Sequence, residues 1–241
     1  GWDMTLKDMK RLGDWEYALG VNFMNQHLSH MTITGTRKFD YPPVFTSLSP
    51  WWKEYGVLND YFARLSLVLS QGRQENGWLI LEPTTSLWLH YTNVSGGKPL
   101  WDIANDFQAL LGALERGQME YDLGCEDIMA DCGSVGRKCL RVGQARYHTV
   151  VLPAKTENLE SRTFQLMRDF ASSGGRIIAL GLPDFVDGEE SAELQAFMQS
   201  DAVIKMQTPQ EILSLYRQEV DLLVQCPENS HVYHYRCRYE D

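Results

Sequence analysis

The chain has 241 residues, a hydrophobic fraction of 44% and 7 Trp, 11 Tyr and 9 Phe, which indicates a folded protein with a large core and excludes a disordered one. A formal net charge of −10, with no stripe rich in Lys and Arg, disfavours binding to nucleic acid, and no apolar run approaches the roughly 20 residues that cross a bilayer. Five cysteines without a CxxC pair fit neither a zinc knuckle nor a disulfide framework, so we expect mostly free or buried thiols.

The N-terminal region predicts a helix, a strand, a loop and a second helix. Apolar residues at three- and four-residue steps predict an amphipathic helix over residues 3–18. The short apolar run Leu19–Met24 predicts a buried strand, and the stretch Gly35–Pro50, with its Gly, Pro, Ser and Thr residues, predicts a loop. Ser49 followed by proline supplies an N-cap and a first helical turn for the second helix, which ends at Gly72.

This order of elements is the repeating unit of an α/β barrel. It occurs less than twice here, whereas a complete barrel of eight units needs about 250 residues. We therefore predict that residues 1–72 form the C-terminal helix-strand-helix piece of a (β/α)8 barrel.

Residues 73–77 are short and polar and predict a linker, after which strands and helices alternate regularly. The clearest unit is the strand HTVVLP, a helix over Leu159–Ser173 and the strand GGRIIALG, a crossover whose two strands should be parallel. Residues 78–225 thus predict a doubly wound, flavodoxin-like α/β domain. The remaining elements predicted in it are strands at Trp78–Glu82, Met119–Leu123 and Ala202–Met206 and helices at Trp101–Arg116, Leu194–Met198 and Ile212–Tyr216.

The C-terminal stretch, within residues 226–241, predicts one further strand. The run HVYHYRCRYED alternates His and aromatic residues with other side chains, as a strand does. The rest of the chain supplies no obvious strand to pair with it, so we expect its partner to lie elsewhere.

Polar side chains are crowded at the end of the predicted strand Leu19–Met24. The set comprises Asn22 within the strand and Asn25, Gln26, His27, Ser29 and His30 after it. In a barrel, side chains at the carboxyl end of each strand face the substrate, and amides and imidazoles hydrogen-bond hydroxyl-rich ligands in fixed directions. The nearby rings of Phe39, Tyr41, Trp51 and Trp52 could stack on a sugar. The alternative is a polar loop that simply follows a strand.

Metal binding and glycosidase chemistry within this region are less well supported. His27 and His30 have the i, i+3 spacing of two ligands on a helix, but no third ligand motif is near them, so we expect no metal. Glycoside hydrolysis needs two carboxyl groups, and Asp40 is the only acid well placed for a site. Because Asp40 is also a natural partner for Arg37 or Lys38, we expect no complete catalytic pair in this chain.

The second domain lacks the motif of a catalytic nucleophile. Amidotransferase-type domains carry Cys on a tight strand-to-helix elbow, whereas the exit from the strongest strand here is VVLPAKTENLES, without Cys or Ser at the elbow. Cys125 is followed by Glu126 and Asp127, whose charges oppose formation of a thiolate. No phosphate-binding loop is present, and CGSVGRKC does not follow the GxGxxG pattern. We therefore expect no cofactor.

Three stretches of the chain resemble a known group of enzymes. GVNFMNQHLSHMTITGTRKFDYPP, WWKEYGVLNDYFARLSLVLSQG and WLILEPTTSLW resemble the large multidomain glycosidases related to the α-L-rhamnosidases of glycoside hydrolase family 106. In that group the first two stretches close the catalytic barrel, and the third opens a flavodoxin-like domain similar to class I glutamine amidotransferases. The later motifs YDLGCEDIM, FASSGGRIIALG and VYHYRCRYED match the rest of that domain and the first strand of a β-sandwich.

The resemblance implies a carbohydrate substrate and places Asn22 and His27 on the substrate-side rim, with Gln26 and His30 beside them. The catalytic glutamates and the calcium of the family lie upstream of this chain, so the resemblance implies no catalytic residue, metal or turnover in it. It implies a secreted or periplasmic location and is compatible with a homo-oligomer.

Three functional hypotheses follow. The first is a fragment of a glycoside hydrolase acting on plant or microbial polysaccharide, with a non-catalytic amidotransferase-like accessory domain. The second is a self-contained flavodoxin-like binding or interaction module without enzymatic activity. The third is a degenerate amidotransferase-like enzyme, which would require a reactive cysteine.

Overall fold

The computed structural model describes residues 4–26, 30–39, 45–93, 97–227 and 232–239. It divides the chain into two compact units. Unit 1 comprises Gly1–Gln74 together with Tyr233–Asp241, and unit 2 comprises Glu75–Val232. No helix within the described ranges combines the length and apolar character needed to cross a membrane.

The helices and strands of the described residues are numbered in chain order. The α-helices are α1 Leu6–Ala18, α2 Tyr55–Leu69, α3 Thr84–His90, α4 Lys98–Arg116, α5 Glu126–Cys132, α6 Ser161–Ser172, α7 Ala192–Gln199 and α8 Pro209–Tyr216. Short 3-10 turns cover Gly35–Lys38, Trp52–Glu54 and Arg217–Glu219. The strands are β1 Arg73–Gln74, β2 Trp78–Leu81, β3 Asp122–Gly124, β4 Gly133–Gly136, β5 Cys139–Val142, β6 Ala145–Tyr147, β7 Thr149–Leu152, β8 Asn158–Leu159, β9 Arg176–Ala179, β10 Phe185–Val186, β11 Glu189–Glu190, β12 Val203–Lys205 and β13 Cys237–Arg238.

Unit 1 is built on the packing of α1 against α2. The helix predicted over residues 3–18 is confirmed as α1, which begins with a capping box between Thr5 and Asp8. The buried side chains of the two helices form one core: Met9, Tyr17, Tyr55, Leu58 and Phe62. Close approach depends on Gly13, since a Cβ there would lie 2.2 Å from Cζ of Phe62.

Two predictions for unit 1 are wrong. Leu19–Met24 forms no strand; Leu19, Val21 and Phe23 are exposed, with Phe23 77% accessible, and only Met24 packs against the core of unit 1. A strand needs neighbouring strands for its backbone N–H and C=O groups, and the one sheet in the described part of unit 1, the β1–β13 pair, does not reach this segment. The expected N-cap at Ser49 is also wrong, because α2 begins only at Tyr55, after the 3-10 turn.

The C-terminal segment does have a partner in this chain. β13 pairs antiparallel with β1, with Arg238 opposite Arg73 and Cys237 opposite Gln74. The Tyr239 hydroxyl also donates to the Val68 carbonyl at 2.7 Å. The expectation that this strand has no partner in the chain is therefore wrong. The pairing joins residues at opposite ends of the sequence, which a local pattern does not reveal.

Unit 2 is organised around a parallel sheet with the strand order β3-β2-β7-β9-β12. Numbered along the chain, these five strands have the order 2-1-3-4-5 of flavodoxin-like sheets. The predicted crossover is confirmed, because β7 and β9 are parallel neighbours joined through α6. The mixed α/β architecture with a parallel sheet is thus established.

Both faces of this sheet are buried, as expected when helices cover each side. Alternate strand residues enter two separate cores, so that Leu79 and Val150 face one core while Ile80 and Val151 face the other. Side chains of α6 and α7 complete the first core, and side chains of α4 and α8 complete the second.

The sequence patterns missed two small sheets in unit 2. Strands β4, β5 and β6 form an antiparallel sheet, in which the stretch CGSVGRKC is a hairpin and not a phosphate-binding loop. Lys138 occupies the left-handed position of its turn, with φ +53°. Strands β8, β10 and β11 form the other sheet. These strands are two to four residues long, too short to show a clear apolar period.

Candidate functional site

The predicted substrate-side residues lie in irregular chain of unit 1. Asn22 is exposed, Gln26 and His30 are half-buried, and His27 lies outside the described residues. His30 Nε2 is buried and has no hydrogen-bond partner among the described residues. Asn22 and Gln26 likewise keep their amide groups available, since neither makes a side-chain hydrogen bond within the described ranges.

Aromatic side chains of unit 1 surround the entry to α2. The Trp52 ring stacks on Tyr55 with centroids 5.5 Å apart. Trp51 Nε1 and Tyr55 Oη are buried without a hydrogen-bond partner in the described part of the chain, and burial raises the pKa of Tyr55. Phe39 is exposed, while Tyr41 lies outside the described residues. The region therefore combines aromatic surface with polar groups whose hydrogen bonds are not completed.

Two of the unit 1 acids have structural roles. Asp8 accepts from the backbone and side chain of Thr5, which lowers the pKa of Asp8. Asp14 accepts from the Tyr61 hydroxyl at 2.7 Å and pairs with Lys10. Asp40, the one acid that the sequence placed well for a site, lies outside the described residues. Neither Asp8 nor Asp14 is therefore open for acid or base catalysis.

In unit 2 the expected ligand-binding position is the carboxyl edge of the sheet between β2 and β7. In doubly wound sheets ligands bind at this switch point, where the strand order reverses. Here α3, which follows β2, is hydrogen-bonded to the segment that follows β7. Ser86 Oγ, which is completely buried, accepts from the backbone N–H groups of Glu157 and Asn158 at 3.0 and 3.1 Å. His90 Nε2 lies 2.9 Å from Glu157 Oε2 and adds a second connection.

The loop after β7 contains an elbow with an unexpected residue at its bend. Lys155 has φ +58°, a left-handed backbone position that non-glycine residues rarely adopt. Gly181 packs against the elbow so closely that a Cβ on it would lie 2.5 Å from the Pro153 carbonyl oxygen. Lys155 Nζ is paired with Asp106 Oδ2 at 2.7 Å, which raises the pKa of the lysine.

A sharp strand-to-helix bend is the geometry that presents a nucleophile in hydrolases. A protonated ammonium held by a carboxylate is not a nucleophile, because its lone pair is occupied. The bend at Lys155 leads into β8 and not directly into a helix, so it has neither the connection nor the side chain of a nucleophile site. The sequence identified this loop and its lack of Cys or Ser, but the left-handed position at Lys155 follows from no motif.

Glu126 is a buried carboxyl group that the sequence patterns did not single out. It is only 5% exposed, accepts from Thr85 Oγ1 at 2.9 Å and from the Glu160 backbone N–H at 2.8 Å, and burial raises its pKa. These contacts tie α3, α5 and the start of α6 together. Because both carboxylate oxygens already accept hydrogen bonds from the protein, Glu126 is a structural connector.

The described residues supply no other obvious chemistry. Within those ranges no group of three or more His, Cys, Asp and Glu side chains could hold a metal ion. All five cysteines lie in the described ranges as free thiols; Cys125, Cys139 and Cys237 are half-buried, and Cys132 and Cys226 are exposed.

Comparisons with known proteins connect the whole chain to large glycoside hydrolases. No protein-family model matches it. It is 22% identical over 210 residues to a protein of Formosa agariphila described as a "Putative beta-glucuronidase", an alignment that covers 85% of this chain and 16% of that protein. Its fold matches the structure of a rhamnosidase from Novosphingobium sp. PP1Y with a TM-score of 0.61 and 18% identity, covering 98% of this chain and 23% of the rhamnosidase. The chain is thus similar in sequence and fold to a small segment of large glycoside hydrolases.

Proposed function

We propose that this chain is a segment of a glycoside hydrolase of the α-L-rhamnosidase-like kind. In this proposal residues 1–72 close the catalytic barrel, residues 73–77 link it to the next domain, residues 78–225 form an amidotransferase-like accessory domain without catalysis, and residues 226–241 lead into a β-domain. The observation that carries the proposal is the match of 98% of the chain to a segment of a rhamnosidase.

The proposed carbohydrate contacts are Asn22, Gln26, His27 and His30. Amide and imidazole groups donate to and accept from sugar hydroxyls, and the described members of this set keep polar atoms without intramolecular partners. The exposed Trp52 ring, which is held by stacking on the buried Tyr55, provides an apolar surface of the kind that packs on a sugar ring.

The proposed accessory role of unit 2 is supported by its closed switch point. Ser86 of α3 is bonded to the segment after β7 at the place where a ligand would enter. The bend in that segment carries Lys155, which forms an ion pair with Asp106. In the parent enzyme two carboxyl groups about 5–10 Å apart would cleave the glycosidic bond. With Asp8 and Asp14 engaged in structural contacts, we expect no turnover by this polypeptide alone.

Saturation-transfer NMR on the purified chain tests the carbohydrate role. We expect L-rhamnose or D-glucuronate to give a transfer signal that Asn22→Ala and Gln26→Ala weaken. Asn59→Ala, which removes an exposed amide from α2, is the matched control and should leave the signal unchanged. Absence of signal with both sugars, or equal loss in Asn59→Ala, would overturn the proposal. Hydrolysis of aryl α-L-rhamnosides by the chain would contradict the assignment of an inactive segment.

The second candidate is a binding or interaction module without enzymatic activity. It is favoured by the core of unit 1, in which α1 and α2 bury their apolar faces against each other without help from barrel strands. This candidate expects no saccharide signal in the same NMR experiment. Thiol labelling addresses the amidotransferase-like alternative, which requires one cysteine to react much faster than the others.

A further inference from the structure

The small antiparallel sheet of β4, β5 and β6 has one buried face and one exposed face. Leu140 and Tyr147 point inward and belong to the first core of unit 2. Because side chains alternate along a strand, the residues beside them point outward. Ser134, Arg141 and Arg146 lie on this outward face, one on each strand, and all three are exposed. Together with the two residues of the β4–β5 turn they form a surface that we call the basic face: Ser134, Arg137, Lys138, Arg141 and Arg146.

The strand register brings the cations of this face together. Arg141 lies directly opposite Arg146, and Ser134 lies opposite Arg141 on the other side. Side chains paired in this way have Cβ atoms about 4.5–5.5 Å apart, and like charges at that separation destabilise a sheet. The Arg141 side chain also extends over Gly136, since a Cβ there would lie 3.6 Å from Nε of Arg141. Arg137 follows Gly136 directly, so the charges of the turn and of the strands are neighbours.

No carboxylate neutralises these charges. Residues 133–147 contain four cationic side chains and no Asp or Glu, in a chain whose formal net charge is −10. Within the described ranges no ion pair involves any of the four: Arg137, Lys138, Arg141 and Arg146. Asp131, the nearest acid before β4 in the sequence, also forms no ion pair with them. The face therefore retains a repulsion that a bound anion would relieve.

The other side chains of this region indicate which kind of anion fits. No large apolar side chain is exposed between residues 133 and 147, whereas the centre of a protein interface is normally apolar or aromatic. Single-stranded nucleic acid needs exposed rings on which its bases stack, and the basic face has none. Guanidinium groups bind carboxylates through two parallel hydrogen bonds, and a serine hydroxyl can exchange hydrogen bonds with a sugar hydroxyl. A hydroxyl-rich polymer that carries carboxylates matches this chemistry.

We propose that the basic face binds the carboxylate groups of a polysaccharide that contains uronic acid. The choice of a saccharide rests on the proposed function, whereas the preference for anions rests on the strand register and the lack of acids. Unit 2 thus holds substrate without taking part in catalysis. Exposed ion pairs are individually weak, so the binding should be weak and sensitive to salt.

Heteronuclear NMR titration of the full chain with oligogalacturonate tests the proposal. We expect the backbone amide signals of β5 and β6 to shift. Affinity should fall as ionic strength rises from about 0.01 M to about 0.15 M, because the Debye length shortens from about 30 Å to about 8 Å. The methyl ester of the same oligosaccharide keeps the sugar backbone but lacks the charges, and it should leave these signals unmoved.

Substitutions locate the binding on the basic face. Arg141→Ser combined with Arg146→Ser should weaken the binding about fivefold to thirtyfold, through the loss of two exposed charge contacts. Arg116→Ser combined with Arg217→Ser removes the same charge from exposed positions elsewhere in unit 2 and is the matched control. It should change the affinity less than about twofold, because salt screens distant charges. The melting temperature of the first variant should equal or exceed that of the wild type, since a pair of like charges is gone.

Several outcomes would overturn the proposal. They are unmoved signals in β5 and β6, equal weakening by the two double variants, and binding of the methyl ester as tight as that of the acid. Equal affinity for poly-L-glutamate or for oligothymidylate would overturn the assignment to a saccharide. This inference and the proposed function fail separately. Unmoved signals in β5 and β6 leave the L-rhamnose signal of the chain intact, whereas loss of the L-rhamnose signal leaves the response of β5 and β6 in place.

Discussion

Replacement of Ser86 by alanine should destabilise unit 2 far more than loss of one surface hydroxyl would suggest. Ser86 is completely buried, and its Oγ accepts two backbone N–H groups that belong to Glu157 and Asn158. Alanine fits the same space but accepts nothing. Both donors then lose their acceptor, and the loop that leads from β7 into β8 loses its bond to α3.

The magnitude follows from how far each donor is buried. A buried donor left without an acceptor costs about 1–3 kcal/mol. Asn158 is 5% exposed, so its N–H should bear the full cost, whereas the half-buried Glu157 can recover part of its bond from water. The sum is roughly 2–4 kcal/mol, since the second donor contributes less than the first.

Amide hydrogen exchange measured by mass spectrometry reports this loss for unit 2 alone. Peptides covering β7 and β9 should exchange about 30-fold to 700-fold faster in Ser86→Ala, because each 1.4 kcal/mol is a factor of ten. Ser172→Ala, at an exposed position near the end of α6, is the control and should change the rate less than about threefold. Equal exchange rates in the two variants would refute the view that Ser86 holds α3 to the loop between β7 and β8.

Substitutions at three further positions test other contacts of unit 2. Gly175→Ala would place a Cβ 2.0 Å from the ring of the fully buried Phe170, so we expect the melting temperature to fall by about 3–10 °C, and an unchanged value would contradict this packing. Because burial raises the pKa of Glu126, the folded state holds its proton at pH values where the unfolded chain has lost it, and the free energy of unfolding should fall as pH rises from the ordinary pKa of a glutamate through the raised one. Glu126→Gln should remove that component of the pH dependence. The free energy of unfolding is measured by urea titration at several pH values, and an equal slope of this free energy against pH in the two proteins would refute the prediction. Lys155→Gly relieves the left-handed backbone at the elbow whereas Lys155→Ala keeps it, and both lose the ion pair with Asp106. In urea titrations the glycine variant should therefore have the higher free energy of unfolding, by about 1 kcal/mol, and the reverse order would contradict the strain at Lys155.

The regular α/β part of the fold was predictable because its signals are local. The runs around β7 and β9 consist of consecutive apolar residues, and Gly174 and Gly175 mark the end of the intervening helix. Strands buried on both faces need such runs, and a crossover of this length can only place them parallel. The same reasoning failed for Leu19–Met24, which has an apolar run of similar length but, among the described residues, no neighbouring strand to complete its backbone hydrogen bonds.

For the candidate sites too, the residue types were predictable from the sequence, whereas the contacts between distant residues were not. The residue types of the segment 22–30 suggested carbohydrate contacts, and the absence of Cys or Ser after β7 could be stated from the sequence alone. The burial of Glu126 and the closure of the switch point could not, because Ser86 meets the Glu157 N–H across 71 positions of sequence. Contacts over such separations exist only after β2 and β7 have paired.

Local order in this protein was determined by the sequence itself. Apolar spacing and glycine positions located α1, the core strands β2, β7 and β9 and the end of α6, because those features act within a few residues. Tertiary structure alone decided which strand pairs with which, that the C-terminal strand returns to Arg73–Gln74, and that a lysine occupies the elbow in a left-handed conformation. These outcomes depend on hydrogen bonds and packing between distant parts of the chain, whose energies no local pattern contains.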